Sequence, residues 1–322
     1  MCQAMPSDSR KTVYVALGAN AAIAVAKAAG GLVSGSSAML AEAAHSVADT
    51  TNQVFLLVSL SLSERKPDET HPFGYGQERF FWAFLVAVFI FVIGGLFSIG
   101  EGVLRLFESE SSDTKGFVVS YVVLGVAFVA ETVSLIRAWR QTRAEARHAG
   151  LPFERFLRQS RNPTSKTVVF EDGAAIAGIL LAFAGVGLHQ LTGDKTFDAA
   201  ASILIGLLLI GVAIGLGRDT KGLLLGESAR PEERKALYEA IERHDEVEDV
   251  LELLTMVLGP ESLLVAARLD LAPGLDSDRL EELSSHIDRD LREAVPAVSE
   301  VFLDPTPRRE LSGDGRGIAS RR

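Results

Sequence analysis

Long apolar stretches alternate with short polar segments along the first two thirds of the chain. A helix that crosses a bilayer needs about 20 consecutive, mostly apolar residues. The composition fits such helices, because 48% of the 322 residues are hydrophobic and the mean hydropathy is +0.22. The pattern predicts six transmembrane helices: Thr12–Val33, Ala38–Leu62, Phe80–Leu104, Gly116–Ile136, Thr164–Leu188 and Phe197–Leu216.

The pattern changes after about Leu225. Short alternating runs and amphipathic periods replace the long apolar stretches, which is typical of a small α+β domain. The predicted order is helix, strand, strand, helix, strand, with a turn at Gly259 and Pro260. The elements are a helix from Pro231 with Leu237 and Ile241 on one face, strands at Val250–Leu258 and Leu263–Leu271, a helix capped by Ser277, and a strand at Val301–Leu303.

These patterns predict an all-α six-helix transmembrane domain followed by a small α+β domain. We expect a cytoplasmic N-terminal segment at residues 1–11, the transmembrane domain at 12–220, the α+β domain at 221–305 and a disordered tail at 306–322. The first apolar segment is longer than a signal-peptide core, so no cleavable signal is expected. Cys2 is the only cysteine, which excludes disulfides and thiolate metal sites within one chain.

The positions of Lys and Arg predict the orientation, because cytoplasmic loops are enriched in both residues. One side of the six helices holds thirteen of them and the other side three, Arg105, Lys115 and Lys195. This asymmetry predicts that both termini are cytoplasmic, in the inner membrane if the source is bacterial. The thirteen are Arg10, Lys11, Arg65, Lys66, Arg79, Arg137, Arg140, Arg143, Arg147, Arg155, Arg158, Arg161 and Lys166.

The second predicted helix contains polar groups that are costly in hydrocarbon. Glu42, His45 and Asp49 share one helical face. Ionisable groups at membrane depth commonly indicate an ion site or a proton pathway. An imidazole and a carboxylate one turn apart can bind one divalent cation, and Zn²⁺ accepts both donor types.

The fifth predicted helix contains two adjacent acids, Glu171 and Asp172. A rise of about 1.5 Å per residue brings Asp49 and Asp172 to similar depths in the bilayer. His45, Asp49 and Asp172 are therefore predicted metal ligands, whereas Glu42 and Glu171 are either ligands or structural partners. The other polar residues within the apolar segments are interpreted either as structural partners between helices or, near a helix end, as side chains that reach the membrane surface: Asn20, Lys27, Glu101, Glu131 and Asp198.

The sequence resembles the cation diffusion facilitator family. The resemblance rests on HSVADTTNQ in the second helix, KPDETHPFGYGQERF in the following loop, the acid pair of the fifth helix and the acidic α+β tail. It covers Thr12 to about Pro305. It implies a homodimer that exports a divalent metal, usually Zn²⁺, in exchange for protons, with a metallochaperone-like (ferredoxin-like) cytoplasmic domain.

The family's motif places ligands at His45, Asp49 and Asp172. The usual partner four residues before the last aspartate is here Val168, so the sequence is similar to a branch with Glu-Asp at this point. The resemblance therefore leaves open whether Glu171 or water completes the site. Accessory metal sites are incomplete: Tyr75 replaces a loop histidine beside Asp68 and His71, and Phe302 replaces one in the tail, whose only histidines are His244 and His286. A turn that orders the second and third helices is the preferred interpretation of the loop, and no full zinc cluster is expected in the tail.

The predicted function is proton-coupled efflux of a divalent cation. The predicted ligands are His45, Asp49, Asp172 and Glu171. Zn²⁺ is the first choice, with Mn²⁺, Fe²⁺ or Co²⁺ as alternatives, and the ion is the substrate rather than a prosthetic group. The acidic tail, with 21 acidic and 8 basic residues from Glu227 to Asp304, would attract cations. The expected partners are the metal ion, protons, the lipid bilayer and a second copy of the chain, without nucleic acid. An intramembrane metalloenzyme and a membrane protein with a vestigial site are the rival hypotheses.

Overall fold

The computed structural model describes residues 7–107, 117–148, 150, 152–159 and 163–307. Residues 1–6 of the predicted N-terminal segment and residues 308–322 of the predicted tail lie outside these ranges. The described residues form two compact units. The first comprises the chain up to Arg65 together with Glu78–Lys221, and the second comprises Lys66–Gln77 together with the chain from Gly222 onward.

Within the described residues, all six predicted apolar segments lie in long helical stretches of the first unit, the fourth from Phe117 onward. Four helical stretches in the described chain are long and apolar enough to cross a membrane: Glu78–Phe107, Phe117–His148, Val168–Thr192 and Thr196–Leu224. Asn20–Ser34 is a shorter apolar stretch of the first helix. The helices are α1 (Ser7–Ser34), α2 (Ser37–Ser63), α3 (Glu78–Phe89), α4 (Phe97–Phe107), α5 (Phe117–His148), α6 (Phe153–Gln159), α7 (Pro163–Thr192) and α8 (Thr196–Leu224).

Two local features of these helices were not predicted. A π-helical segment, Ile90–Leu96, joins α3 to α4 without a break. Helix α5 extends to His148, well beyond the predicted end of its apolar segment, and α6 follows it. The Trp139 and Phe153 rings are 4.4 Å apart, which packs α6 against the polar end of α5.

Glycines bring α8 close to α4 and to the π-helical segment. A Cβ added to Gly206 of α8 would lie 2.6 Å from Ile99 Cγ1 and 2.7 Å from the Gly95 carbonyl oxygen. A Cβ added to Gly102 would lie 2.7 Å from the Ala199 carbonyl oxygen. Small residues allow such close approach between membrane helices, where van der Waals packing drives association.

Asp198 at the start of α8 caps the N-terminus of α2. Its Oδ1 accepts a hydrogen bond from Ser36 Oγ at 2.6 Å, and its Oδ2 accepts from the Ser37 backbone N–H at 2.6 Å. Both serines and Asp198 are buried. A carboxylate at a helix N-terminus satisfies free N–H groups and interacts favourably with the helix dipole. Asp198 therefore has the structural role predicted for it.

The second unit has the predicted order of helix, strand, strand, helix, strand. Its three strands lie in the order β1-β2-β3, with β1 and β2 antiparallel and β2 and β3 parallel. Buried leucines and isoleucines of the two helices pack with one face of this sheet. The elements are α9 (Pro231–Glu242), β1 (Val247–Gly259), β2 (Ser262–Leu271), α10 (Ser277–Ala294) and β3 (Val298–Pro305).

The predicted cap of α10 is wrong by one residue. Asp276, not Ser277, is the N-cap, and its side chain accepts a hydrogen bond from the Arg279 N–H at 2.9 Å. Asp and Ser are comparably good N-caps, so sequence preference alone does not separate two adjacent candidates. The backbone decides, because Asp276 is extended and Ser277 is already helical.

Candidate metal-binding site in the helical unit

His45 and Asp49 lie on one face of α2, as predicted. His45 Nε2 is 3.6 Å from Asp49 Oδ2. The His45 side chain is 1% exposed and that of Asp49 is 17% exposed. A buried imidazole beside a carboxylate provides one nitrogen and one oxygen donor for a divalent cation.

The two acids of α7 face two different helices. Glu171 Oε2 accepts a hydrogen bond from Asn52 Nδ2 of α2. Asp172 Oδ2 accepts one from Ser134 Oγ of α5 at 2.7 Å. Adjacent positions on a helix are about 100° apart, so neighbouring acids point in different directions. Glu171 is thereby directed towards α2, the helix of His45 and Asp49.

The contacts between α2 and α7 show which residues of the two helices lie at the same level along the helix axes. Asn52 lies opposite Glu171, and Glu42 lies opposite Gly178, where an added Cβ would collide with Glu42 Oε1. Positions therefore rise along α2 as they fall along α7, and the two helices run in opposite directions. Asp49, one turn before Asn52, is close to the level of the acid pair.

Several buried polar atoms at this place have no hydrogen-bond partner in the described part of the chain. Most buried polar groups in proteins are paired, so a cluster of unpaired atoms requires an explanation. Carboxylate oxygens and imidazole nitrogens are also the atoms that bind divalent cations. On α2 and α7 the unpaired atoms are Glu42 Oε1, His45 Nδ1 and Nε2, Asp49 Oδ1, Gln53 Oε1 and Glu171 Oε1.

The structure brings His45 and Asp49 together but does not assemble all four predicted ligands. Within the described ranges, no group of three or more His, Cys, Asp or Glu side chains is arranged to hold a metal ion. Asp172 is bonded to Ser134 and Glu171 to Asn52 instead. The four-residue site of His45, Asp49, Asp172 and Glu171 stays a prediction.

Glu131 lies beside the site, although the sequence predicts only a structural role for it. Glu131 of α5 lines a narrow crevice together with Asp49, Ser46, Asn20 and Ile23. Glu131 and Asp49 are close enough to interact electrostatically. The available signal was an acid within an apolar segment, but nothing in the sequence shows that this face of α5 points towards α2.

The loop Lys66–Gln77 belongs to the second unit and is organised by Asp68. Asp68 accepts hydrogen bonds from the Tyr75 hydroxyl at 2.6 Å, from the Thr70 hydroxyl at 2.7 Å and from the His71 N–H at 2.8 Å. The Tyr75 hydrogen bond, with those of Thr70 and His71, holds the pKa of Asp68 well below its usual value. These contacts use the Asp68 carboxylate to order the turn itself, and the interpretation that the turn orders the second and third helices stays a prediction.

In the C-terminal part of the second unit, His244 Nε2 lies 3.3 Å from Asp290 Oδ2. The exposed Phe302, which stands in place of a histidine of the family, lies with its ring centre 6.3 Å from that of Phe73. An aromatic contact occupies this face, so Phe302 packs the loop against the sheet.

The chain matches the family model described as the cation efflux transmembrane domain over residues 13–225. It is 33% identical over 262 residues to metal tolerance protein C4 of Arabidopsis thaliana, covering 81% of this chain and 57% of that protein. It is 30% identical to the mitochondrial proton-coupled zinc antiporter SLC30A9 of Homo sapiens, covering 81% of this chain and 45% of that protein. It is 24% identical to the manganese efflux system protein MneP of Bacillus subtilis, covering 93% of this chain and 96% of that protein.

The helical domain and the family match over most of it place the chain in a family of membrane proteins that transport metal cations. The chain belongs to the cation efflux family, also called cation diffusion facilitators, which is a transporter family and not an enzyme family. The chain spans about half the length of the first curated relatives, between 45% and 57%.

Proposed function

We propose that this protein exports Zn²⁺ in exchange for protons and that His45, Asp49, Asp172 and Glu171 bind the transported ion. The proposal rests on the His45–Asp49 pair, a buried imidazole 3.6 Å from a carboxylate with unpaired atoms on both side chains. The combination of nitrogen and oxygen donors favours Zn²⁺ and its late first-row neighbours. The zinc antiporters among the relatives support this choice.

Proton coupling follows from the chemistry of these donors. Histidine and carboxylate side chains must be deprotonated to bind a metal, so binding releases protons. When the ion leaves, the same buried groups regain protons, because unpaired charges are costly at membrane depth. Movement of α2 and α7 relative to α5 would expose the site alternately to the two sides.

The orientation is part of the proposal. The Lys and Arg asymmetry supports a cytoplasmic location for the Ser63 end of α2 and for the α+β domain. Zn²⁺ would then enter from the side of the acidic domain and leave near the Ser37 end of α2. We propose a homodimer as the working unit, on the basis of the family resemblance.

Manganese is the second candidate substrate. MneP, whose length the chain covers almost completely, is named as a manganese efflux protein. The helical unit also supplies mainly carboxylates near the site, which suit Mn²⁺. His45 distinguishes the two candidates, since an imidazole favours Zn²⁺.

Flux measurements test the proposal. The purified chain is reconstituted in sealed vesicles with an acidic interior and a metal indicator inside. We expect Zn²⁺ uptake that stops when the pH gradient is collapsed and that Asp49→Ala abolishes. Asp198→Asn is the matched control, because it changes the buried carboxylate of α8 that caps the N-terminus of α2. Absence of uptake of Zn²⁺ and Mn²⁺, uptake indifferent to the gradient, or near-normal flux with Asp49→Ala would overturn the proposal.

A further inference from the structure

A buried cation lies beside the proposed transport site. Lys27 of α1 has no exposed side-chain surface. Its Nζ donates a hydrogen bond to Glu42 Oε2 at 2.9 Å and another to Ser46 Oγ at 2.8 Å. Burying an ammonium group is costly unless it is paired and hydrogen-bonded. Two side chains one turn apart on α2 meet this requirement.

These two partners adjoin the predicted ligands. Glu42 lies about one turn before His45, and Ser46 directly follows His45 in the chain. Ser46 also lines the crevice that contains Asp49 and Glu131. Lys27 is close enough to His45, Asp49 and Glu131 for electrostatic interaction with each. The positive charge of Lys27 therefore contributes to the electrostatic potential where a divalent cation would bind.

The proposed transport site is surrounded by both negative and positive charges. The surrounding carboxylates attract a divalent cation, whereas the ammonium repels it. In a medium of low dielectric constant, one unit charge nearby changes the affinity for a doubly charged ion strongly. A transport site must bind its ion firmly enough for entry and weakly enough for release. A fixed positive charge beside the site limits how tightly the site can bind the ion.

We propose that Lys27 is a positioning residue that holds a resident positive charge beside the transport site and thereby lowers its affinity for divalent cations. Glu42 and Ser46 hold the ammonium against α2, and Glu42 neutralises part of its charge. The inference rests on the proposed function, since it requires a divalent substrate at His45 and Asp49.

The alternative is that the pair of Lys27 and Glu42 only ties α1 to α2. Two variants separate the alternatives. Glu42→Gln leaves the ammonium without its counter-charge, so the affinity for Zn²⁺ should fall by about tenfold. Lys27→Met combined with Glu42→Gln removes both charges and keeps similar volumes, so the affinity should return to the wild-type value or exceed it. A purely structural tie predicts that the double variant is at least as impaired as Glu42→Gln.

The experiment measures Zn²⁺ affinity of the full chain in detergent by competition with a fluorescent indicator, alongside flux in vesicles. Asp198→Asn is the matched control, because it alters a buried polar contact of α2 at the capped end. It should lower thermal stability and leave the Zn²⁺ affinity within about threefold of the wild type, since its carboxylate is remote from the site. If the double variant binds Zn²⁺ more tightly than the wild type, it should also release Zn²⁺ more slowly. Flux at saturating Zn²⁺ measures this release.

The possible failures are distinguishable. If the wild type neither binds nor transports Zn²⁺, the proposed function fails. If the wild type does both but Glu42→Gln binds Zn²⁺ normally, or the double variant stays as weak as Glu42→Gln, the role of Lys27 is overturned. If Glu42→Gln does not fold, Ser46→Ala replaces it, because it removes the contact that holds the ammonium beside the crevice without changing a charge. Ser46→Ala should strengthen Zn²⁺ binding, and unchanged or weaker binding would overturn the inference.

Discussion

Asn52 Nδ2 donates a hydrogen bond to Glu171 Oε2 and thereby joins α2 to α7 one turn from Asp49. The bond directs one oxygen of Glu171 to the amide, while the other oxygen, Oε1, is buried without a partner. Glu171 is therefore positioned by α2 itself, although its neighbour Asp172 points to α5. This geometry gives Glu171 a defined orientation at the edge of the proposed site.

Glu171 and Asn52 provide the first test. If Glu171 binds the ion, Glu171→Gln should lower the Zn²⁺ affinity by about tenfold or more. Asn52→Ala removes only the hydrogen bond that orients the Glu171 side chain, so it should lower the affinity by about threefold. Indicator competition on both variants and on the double variant measures the coupling between them. Equal losses in the two single variants would show that the pair only joins the helices and that water or another residue completes the site.

His45 determines the expected metal preference and pH dependence. His45→Asp leaves only oxygen donors, which should move the preference from Zn²⁺ towards Mn²⁺. Imidazole is also the side chain that normally titrates between pH 5 and 8, so the variant should flatten the acidic limb of the flux profile. Competition flux assays at several pH values measure both effects. An unchanged metal order together with an unchanged pH profile would make His45 a partner that positions Asp49 rather than a ligand.

The sequence predicts the elements of this fold better than the contacts of the site. Apolar length locates the helices, and periodicity locates the strands, because both depend on residues close together in the chain. The π-helical segment at Ile90–Leu96 was missed because its residues are as apolar as those of an ordinary helix. The bonds of Asn52 with Glu171 and of Ser134 with Asp172 join residues far apart in sequence. No local pattern indicates which polar side chains of different helices face each other.

Close packing of α8 gives a prediction on stability. Gly206→Ala should destabilise the helical unit by about 1–3 kcal/mol, because its Cβ meets backbone atoms of Gly95 and Ile99 that cannot move freely. Gly211→Ala on the same helix is the matched control, since a Cβ there meets nothing within 4 Å. It should be neutral or stabilising by up to about 1 kcal/mol through helix propensity. Thermal unfolding of the purified variants in detergent measures the difference, and similar effects of both changes would contradict the packing seen here.

The last prediction concerns the α+β unit, where Arg279 of α10 donates a hydrogen bond to Glu246 just before β1. This bond lowers the pKa of Glu246 below its usual value of 4.5. A carboxylate whose pKa is lower in the folded state stabilises the fold above its unfolded pKa, and the contribution is lost as the pH falls through the folded value. Glu246→Gln should therefore destabilise a fragment of residues 222–322 at pH 7 and have little effect once the pH is well below 4.

Thermal unfolding of the fragment followed by circular dichroism, from pH 3 to pH 7, measures this dependence. Glu293→Gln is the matched control, because it removes a carboxylate from the exposed face of the same helix α10. The stabilities of Glu246→Gln and the wild type should converge at low pH, since the Glu246 carboxyl group is then protonated in the wild type and absent from the variant. A loss of stability that is the same at every pH would instead assign Glu246 a role in packing, and the ion pair with Arg279 would then contribute little to holding α10 near the start of β1.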